Sequence, residues 1–182
     1  MKLENSQVRL RRLVASDLAE QHAFFQHHEL RDNYFFRGIA IPPSLEELEE
    51  SQKNIGKDKT KEMTFAIERT LDSEFVGTCS YKNLDWKNGC VEVGIALGTP
   101  HTNQGMGTAA LRLLVDFLFD ELPINRVFLL VFEHNARGIR SYQKIGFQIE
   151  GTMREAAFRG GKFFNVVAMG ILRSEWEESR RC

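Results

Sequence analysis

Residues 105–110 read G-M-G-T-A-A and lead from the turn-forming stretch HTNQ into an apolar helix. Such a segment can seat a phosphate. The start of a helix offers unpaired N–H groups and the positive end of the helix dipole. Gly105 and Gly107 let the backbone approach phosphate oxygens and adopt positive φ, at a cost in backbone entropy. A tight turn with glycines for packing is the plain alternative, since short glycine motifs are weak signals. A P-loop needs Gly-Lys-Ser/Thr, but Gly107 is followed by Thr108 and Ala109. A dinucleotide fold wants G-x-G-x-x-G/A, which Gly105, Gly107 and Ala110 satisfy, with Glu133 as the later acid. However, GTPHTNQ is long for the tight turn that fold requires, and too little chain follows Gly107 to complete a doubly wound sheet.

Around this loop stands an ordinary globular composition. The chain has 182 residues, suited to a single domain over 1–182, with 42% hydrophobic and 27% charged residues. Net charge is −1 and the basic residues are scattered, so there is no nucleic-acid footprint. No apolar run reaches membrane-spanning length, and MKLENSQVRLRRL lacks a signal-peptide core. Cys79, Cys90 and Cys182 form no CxxC and read as reduced thiols of a cytoplasmic protein. The five histidines show no ligand spacing, so no metal is expected, and adjacent His27 and His28 read as surface residues. A homo-oligomer is compatible with the sequence.

The elements that must position the loop follow from periodicity. VRLRRLV alternates as a half-buried strand. Asp17 is placed to cap a helix through LAEQHAFFQHHEL, and Ser44 with Glu47 forms a capping box for a second helix. MTFAIER, FVGTCSY and CVEVGIAL read as three strands of an antiparallel meander. Thr108 to Glu121 is a largely apolar helix whose polar side is Arg112, Asp116 and Asp120. RVFLLVF reads as a strand buried on both faces. Asn135 caps ARGIRSYQKI and Gly146 closes it. FQIEGTMREAAF, the turn RGG and KFFNVVAMGIL form a closing hairpin. The expected fold is α+β, a mixed, mostly antiparallel sheet with helices on both faces.

The order strand, TNQGMGTAA, helix, strand, NARGIRSYQKIGF resembles the GNAT superfamily of acetyl-CoA-dependent N-acetyltransferases. The resemblance covers about residues 8–172 and is strongest from Glu92 to Phe147. The family's pyrophosphate loop, R/Q-x-x-G-x-G/A, falls on Thr102 to Gly107, with Thr102 in place of Arg or Gln and Gln104 two places on. A later pattern, Asn-x₆-Tyr-x-Lys-x-Gly-Phe, falls on Asn135, Tyr142, Lys144, Gly146 and Phe147. VEVGIAL and EGTMREAAFRGGKFFNVVAMGIL look like the branch with ribosomal-protein and polyamine acetyltransferases.

The resemblance implies that CVEVGIAL and RVFLLVF are a central parallel pair that splays to admit the pantetheine arm of acetyl-CoA. Ile95 and Leu97 would lend backbone groups, with an N–H near Leu97 for the thioester oxygen. Gln104, Gly105, Met106, Gly107 and Thr108 would hold the pyrophosphate, and Asn135 would both cap its helix and touch the cofactor. Tyr142 would protonate the departing thiolate, with Ser141 as fallback. Glu92 shares a strand face with Cys90 and Gly94, opposite Val91, Val93 and Ile95. It would serve as the base acting through water, with His101, in a loop, as the weaker candidate.

The acceptor is expected to be a primary amine. A lysine amine has a pKa near 10.4 and a protein N-terminus about 7.7–8.0, so deprotonating the former at neutral pH costs roughly 3 kcal/mol more. That gap leans toward a protein N-terminal α-amine. The acidic run SLEELEE supports a polyamine acceptor as the alternative. An acyl-CoA sensor without catalysis is the reading from another functional class.

Overall fold

The computed structural model describes residues 3–33, 42–54 and 61–181. In chain order the elements are β1 (Val8–Arg12), α1 (Ala15–Gln26), α2 (His28–Asn33), α3 (Leu45–Asn54), β2 (Met63–Arg69), β3 (Phe75–Asp85) and β4 (Cys90–Leu97). After a 3₁₀ turn at Thr99–His101 come α4 (Met106–Glu121), β5 (Arg126–Phe132), α5 (Ala136–Ile145), β6 (Gln148–Arg159), β7 (Lys162–Leu172) and α6 (Arg173–Ser179). The seven strands form one sheet in the order β1-β2-β3-β4-β5-β7-β6. All its pairs are antiparallel except β4 with β5.

Strand alternation divides the molecule into two faces. Phe65, Cys79 and Ile95 lie opposite one another across β2, β3 and β4. Phe65 meets Phe117 of α4 edge-on, so this row belongs to the α4 side. Here α4 buries Met106, Ala110, Leu111, Leu114, Val115 and Leu118, which follow a helical period. The neighbouring row, Ala66, Thr78 and Ala96, faces the other way. Thr78 and Ala96 share a small crevice with Phe24 and Phe25 of α1, and Phe24 stacks on Phe75.

The polar stripe of α4 holds neighbouring elements. Arg112 donates to the Lys144 carbonyl at 2.6 Å. Asp116 accepts from the Trp176 indole at 2.7 Å, and Asp120 pairs with Arg180 at 3.0 Å. These two acids fasten α6, a helix the sequence pattern did not reveal.

Three helix boundaries differ from expectation, at α4, at His27 and at Asp17. Helix α4 begins at Met106, two residues before Thr108, because the left-handed turn at Gly105 (φ 82°) already directs the chain into the helix. The stretch expected as one helix from Leu18 breaks at His27, whose backbone is extended, into α1 and α2. The box between Ser44 and Glu47 forms as the sequence implies, with reciprocal bonds of 2.7 and 3.1 Å.

Asp17 lies in the first turn of α1 rather than before it, and accepts from the Val14 N–H at 2.8 Å. Its buried carboxylate also takes both terminal nitrogens of Arg11, at 2.7 and 2.8 Å. Arg11 and Arg9 in turn both hold Glu68. Burial pushes the Asp17 pKa upward, but the bonds from Arg11 and Val14 outweigh it and leave it lowered. Glu68 is lowered in the same way, burial being outweighed by Arg11 and Arg9. Carboxyls with depressed folded-state pKa values stabilise the fold fully above their unfolded values, and this contribution fades as pH falls through the folded ones. Asp17→Asn is therefore expected to cost about 3 kcal/mol at pH 7, the low end for breaking a buried pair. Urea unfolding at pH 7 and pH 3 checks this: the gap between wild type and variant should narrow at the lower pH.

Candidate active site

The parallel pairing of β4 with β5 is short. It joins Cys90, Val91 and Glu92 to Arg126, Val127 and Phe128 and goes no further. Past that point β4 stays paired to β3 through Leu97, while β5 stays paired to β7 through Phe132. The two strands thus open as a fork with Glu92 at its apex. The fork forms one side of a cavity of about 350 Å³. Its walls take in β4 from Glu92 to Leu97, Leu129 to Val131 of β5, the start of α4 and one side of α5.

The open edge of β4 carries usable backbone groups. The Gly98 N–H donates to the Val76 carbonyl at 3.0 Å. Main-chain groups of a strand alternate between its two edges, so those of Ile95 and Leu97 point away from β3, into the fork.

Helix α4 starts beneath this edge. Gly105 is its N-cap, in the left-handed region, and supplies no side-chain cap. Ala109 N–H bonds to the Gly105 carbonyl, while the N–H groups of residues 106–108 precede the first intrahelical donor of an α-helix. At Gly107 space is the constraint: a Cβ would lie 3.0 Å from Leu97 Cδ1. The missing side chain is what lets the helix start press against β4.

The expected site residues separate into groups. Ile95, Leu97, Gly105, Gly107, Thr108, Asn135, Tyr142, Ser141 and Glu92 all line the one cavity. The Gln104 side chain is turned away, exposed and donating to the Pro100 carbonyl at 2.9 Å. The Met106 side chain is 3% exposed and belongs to the core, leaving only its backbone for a ligand. His101 was expected in a loop; it is instead buried beside Phe24, with Nε2 3.7 Å from Glu74, outside the cavity wall. The acidic run on α3 lies on exposed helix surface and does not line the cavity either.

Asn135 caps α5 by accepting from the Gly138 N–H at 2.8 Å. Its Nδ2 donates to the Asn33 carbonyl at 3.3 Å, so it also holds the end of α2. His134 Nε2 meets the Asp32 carbonyl at 3.0 Å; a carbonyl only accepts, so this nitrogen donates. Ser141 Oγ lies 2.5 Å from Thr108 Oγ1, joining α5 to the first turn of α4. Tyr142, half-buried one residue on, sets its ring edge-on to Phe147 at 6.3 Å.

Glu92 is 3% exposed yet lines the cavity. Asn83 donates to its Oε2 at 2.9 Å, and the Lys82 ammonium lies 3.3 Å from Oε1. Sequence reading had overlooked Lys82 and Asn83; the cross-strand register of β3 on β4, which sets Lys82 opposite Glu92, is the signal that finds the first. It also missed the acid Glu29, which lines the cavity and sits 3.7 Å from Arg137. Arg137, Arg140 and Lys144 complete the cationic lining. Their spacing of three and four residues is legible in ARGIRSYQKI as one helix face. Among the described residues no group of His, Cys, Asp and Glu could hold a metal. None of the described helices is long and apolar enough to cross a membrane.

Several known proteins are similar to this chain. YdaF of Bacillus subtilis, provisionally named a ribosomal N-acetyltransferase, is 32% identical over 106 residues, 58% of each chain. With three such relatives the alignment spans between 58% and 63% of their length. Spermidine N(1)-acetyltransferase of Vibrio cholerae is 25% identical over 172 residues, 94% of this chain and 96% of its own. A crystal structure of the Vibrio cholerae spermidine N-acetyltransferase with CoA and spermine superposes with a TM-score of 0.85 at 25% identity, covering 95% of this chain and 99% of that one. The acetyltransferase (GNAT) domain matches residues 7–148, which take in every residue lining the cavity, and the chain belongs to this family.

Proposed function

We propose that this chain is an acetyl-CoA-dependent N-acetyltransferase whose acceptor is a small polyamine of the spermidine class. The observation that carries the acceptor is the extent of similarity. The match to the Vibrio cholerae spermidine enzyme runs through 94% of the chain, whereas the match to YdaF stops at 58%. This moves the reading away from the α-amine that amine pKa values alone favour. The cavity agrees with a polycationic acceptor, since its carboxylates among the described residues, Glu29 and Glu92, each hold an ammonium or guanidinium group of the chain itself, the kind of group a polyamine would offer in its place.

In this reading the free N–H groups at residues 106–108 hold the pyrophosphate. Arg137, Arg140 and Lys144 add positive charge on the facing helix. The fork-facing backbone of Ile95 and Leu97 pairs with the pantetheine arm. Asn135 positions α5 and α2 through Gly138 and Asn33 and, lining the cavity, stands beside the cofactor arm. Acetyl-CoA supplies a thioester that the acceptor amine attacks directly, releasing coenzyme A. Glu92, at the apex of the fork, takes the ammonium proton, and Tyr142 returns one to the sulfur. Ser141 is tied to Thr108, which leaves Tyr142 as the better placed acid.

Four outcomes test this reading. Gly107→Val puts a branched side chain where a Cβ alone sits 3.0 Å from Leu97. It should weaken acetyl-CoA binding tenfold or more, about 1.4 kcal/mol, by calorimetric titration of a variant with unchanged circular dichroism. Tyr142→Phe should lower kcat about 10²-fold with acetyl-CoA affinity unchanged, because only the hydroxyl is removed; full activity would pass the role to Ser141 or water. Transfer from labelled acetyl-CoA should favour spermidine and spermine over peptide N-termini and amino acids. In Glu92→Gln, activity toward spermidine should return only above about pH 9, where alkylammonium groups begin to deprotonate unaided. Efficient transfer to peptide N-termini with none to spermidine would overturn the polyamine assignment.

A further inference from the structure

The Lys82 ammonium rests against Glu92, the carboxylate to which the reading above assigns the acceptor's proton. Lys82 and Glu92 are direct cross-strand partners on β3 and β4, so both side chains rise from the same face of the sheet. Nζ lies 3.3 Å from Oε1 of Glu92, and both residues line the cavity together with Ile95, Leu97 and Tyr142. The Lys82 side chain is 36% exposed against 4% for Glu92. It is therefore a long, partly solvated arm whose amine rests on a buried carboxylate at the apex of the fork. A lysine amine is chemically the same kind of nucleophile as a primary amine of a polyamine.

We propose that Lys82 is a self-modification site: with acetyl-CoA bound and no external acceptor, the enzyme acetylates its own Lys82 Nζ. This rests on the acetyltransferase reading above. Glu92 accepts a proton from the Lys82 ammonium, and the freed nitrogen lone pair attacks the thioester carbonyl carbon. The C–N bond forms, the C–S bond breaks with its electron pair leaving on sulfur, and the nitrogen loses its second proton. The thiolate takes up one proton, so the products are acetyl-Lys82, coenzyme A and one proton released to solvent. The amide carries no charge, so Glu92 loses the Lys82 cation and the cavity loses one positive charge. An external polyamine that displaces Lys82 from Glu92 blocks the reaction by taking its place.

The test is mass spectrometry of the full chain incubated with isotopically labelled acetyl-CoA, followed by peptide mapping. One labelled acetyl group should accumulate at Lys82. Lys82→Arg should abolish that increment, and Glu92→Gln should slow it at least tenfold. Excess spermidine or excess coenzyme A should suppress it, while scattered chemical labelling of other lysines continues. Labelling of Lys82 that is no faster than that of surface lysines, or that is indifferent to Glu92→Gln and to coenzyme A, overturns the proposal. Transfer to spermidine with Lys82 unlabelled overturns self-modification alone; failure to bind acetyl-CoA overturns it together with the acetyltransferase reading.

Discussion

The parting of β4 from β5 after three paired residues governs the rest of the structure. Hydrogen bonding normally pairs a central strand on both edges, and leaving backbone groups unpaired inside a protein is costly. Here each strand keeps its outer partner, β3 for β4 and β7 for β5, so the sheet survives while a gap opens at its centre. The gap presents donors and acceptors that no element of the described chain satisfies by sheet pairing, an arrangement suited to an extended ligand that adds itself as a strand. Helix α4 has to begin at the mouth of that gap, and this is why a glycine at 107 faces Leu97 so closely.

Charge follows the same geometry. The apex carries Glu92, while α5, on the far side of the opening, turns Arg137, Arg140 and Lys144 toward the cavity. The two carboxylates hold Lys82 and Arg137. The Arg137–Glu29 pair is exposed on both sides and contributes little to stability, whereas Lys82 is a partly exposed arm resting on a buried carboxylate. The buried network of Arg11, Asp17 and Glu68 is the contrasting case, with two chain segments fixed on one guanidinium outside the cavity lining.

Much of this was legible in the sequence because period and punctuation agree. CVEVGIAL, RVFLLVF and ARGIRSYQKI coincide with β4, β5 and α5 to the residue. In the first two, apolar runs end at turn residues; in the third, Asn135 and Gly146 stand at the two ends. Glu92, Gly105, Gly107 and Tyr142 could be singled out because a strand carboxylate, a glycine-led helix and a motif tyrosine are local signals. Lys82 and Glu29 could not, since their meaning depends on partners in other elements. His101 illustrates the opposite error. A histidine after Pro100 looks like loop surface, but the 3₁₀ turn folds it inward against Phe24 and Glu74. The break at His27 escaped for a related reason: helical periodicity continues through it, and only the tether of α2 to His134 and Asn135 shows where that helix has to lie.

Parity on β4 ties the core to the chemistry. Val91 and Val93 pack into the α4 side of the sheet and are at most 3% exposed. Glu92 between them must then emerge on the other side, opposite Lys82. A slip of one residue would bury the carboxylate among the apolar side chains of α4 and turn two valines toward the cavity. The burial that stabilises the domain therefore also selects which side of the sheet receives the cavity's carboxylate at Glu92. The fork and the core are two consequences of one register, and a substitution that loosens either is felt by the other.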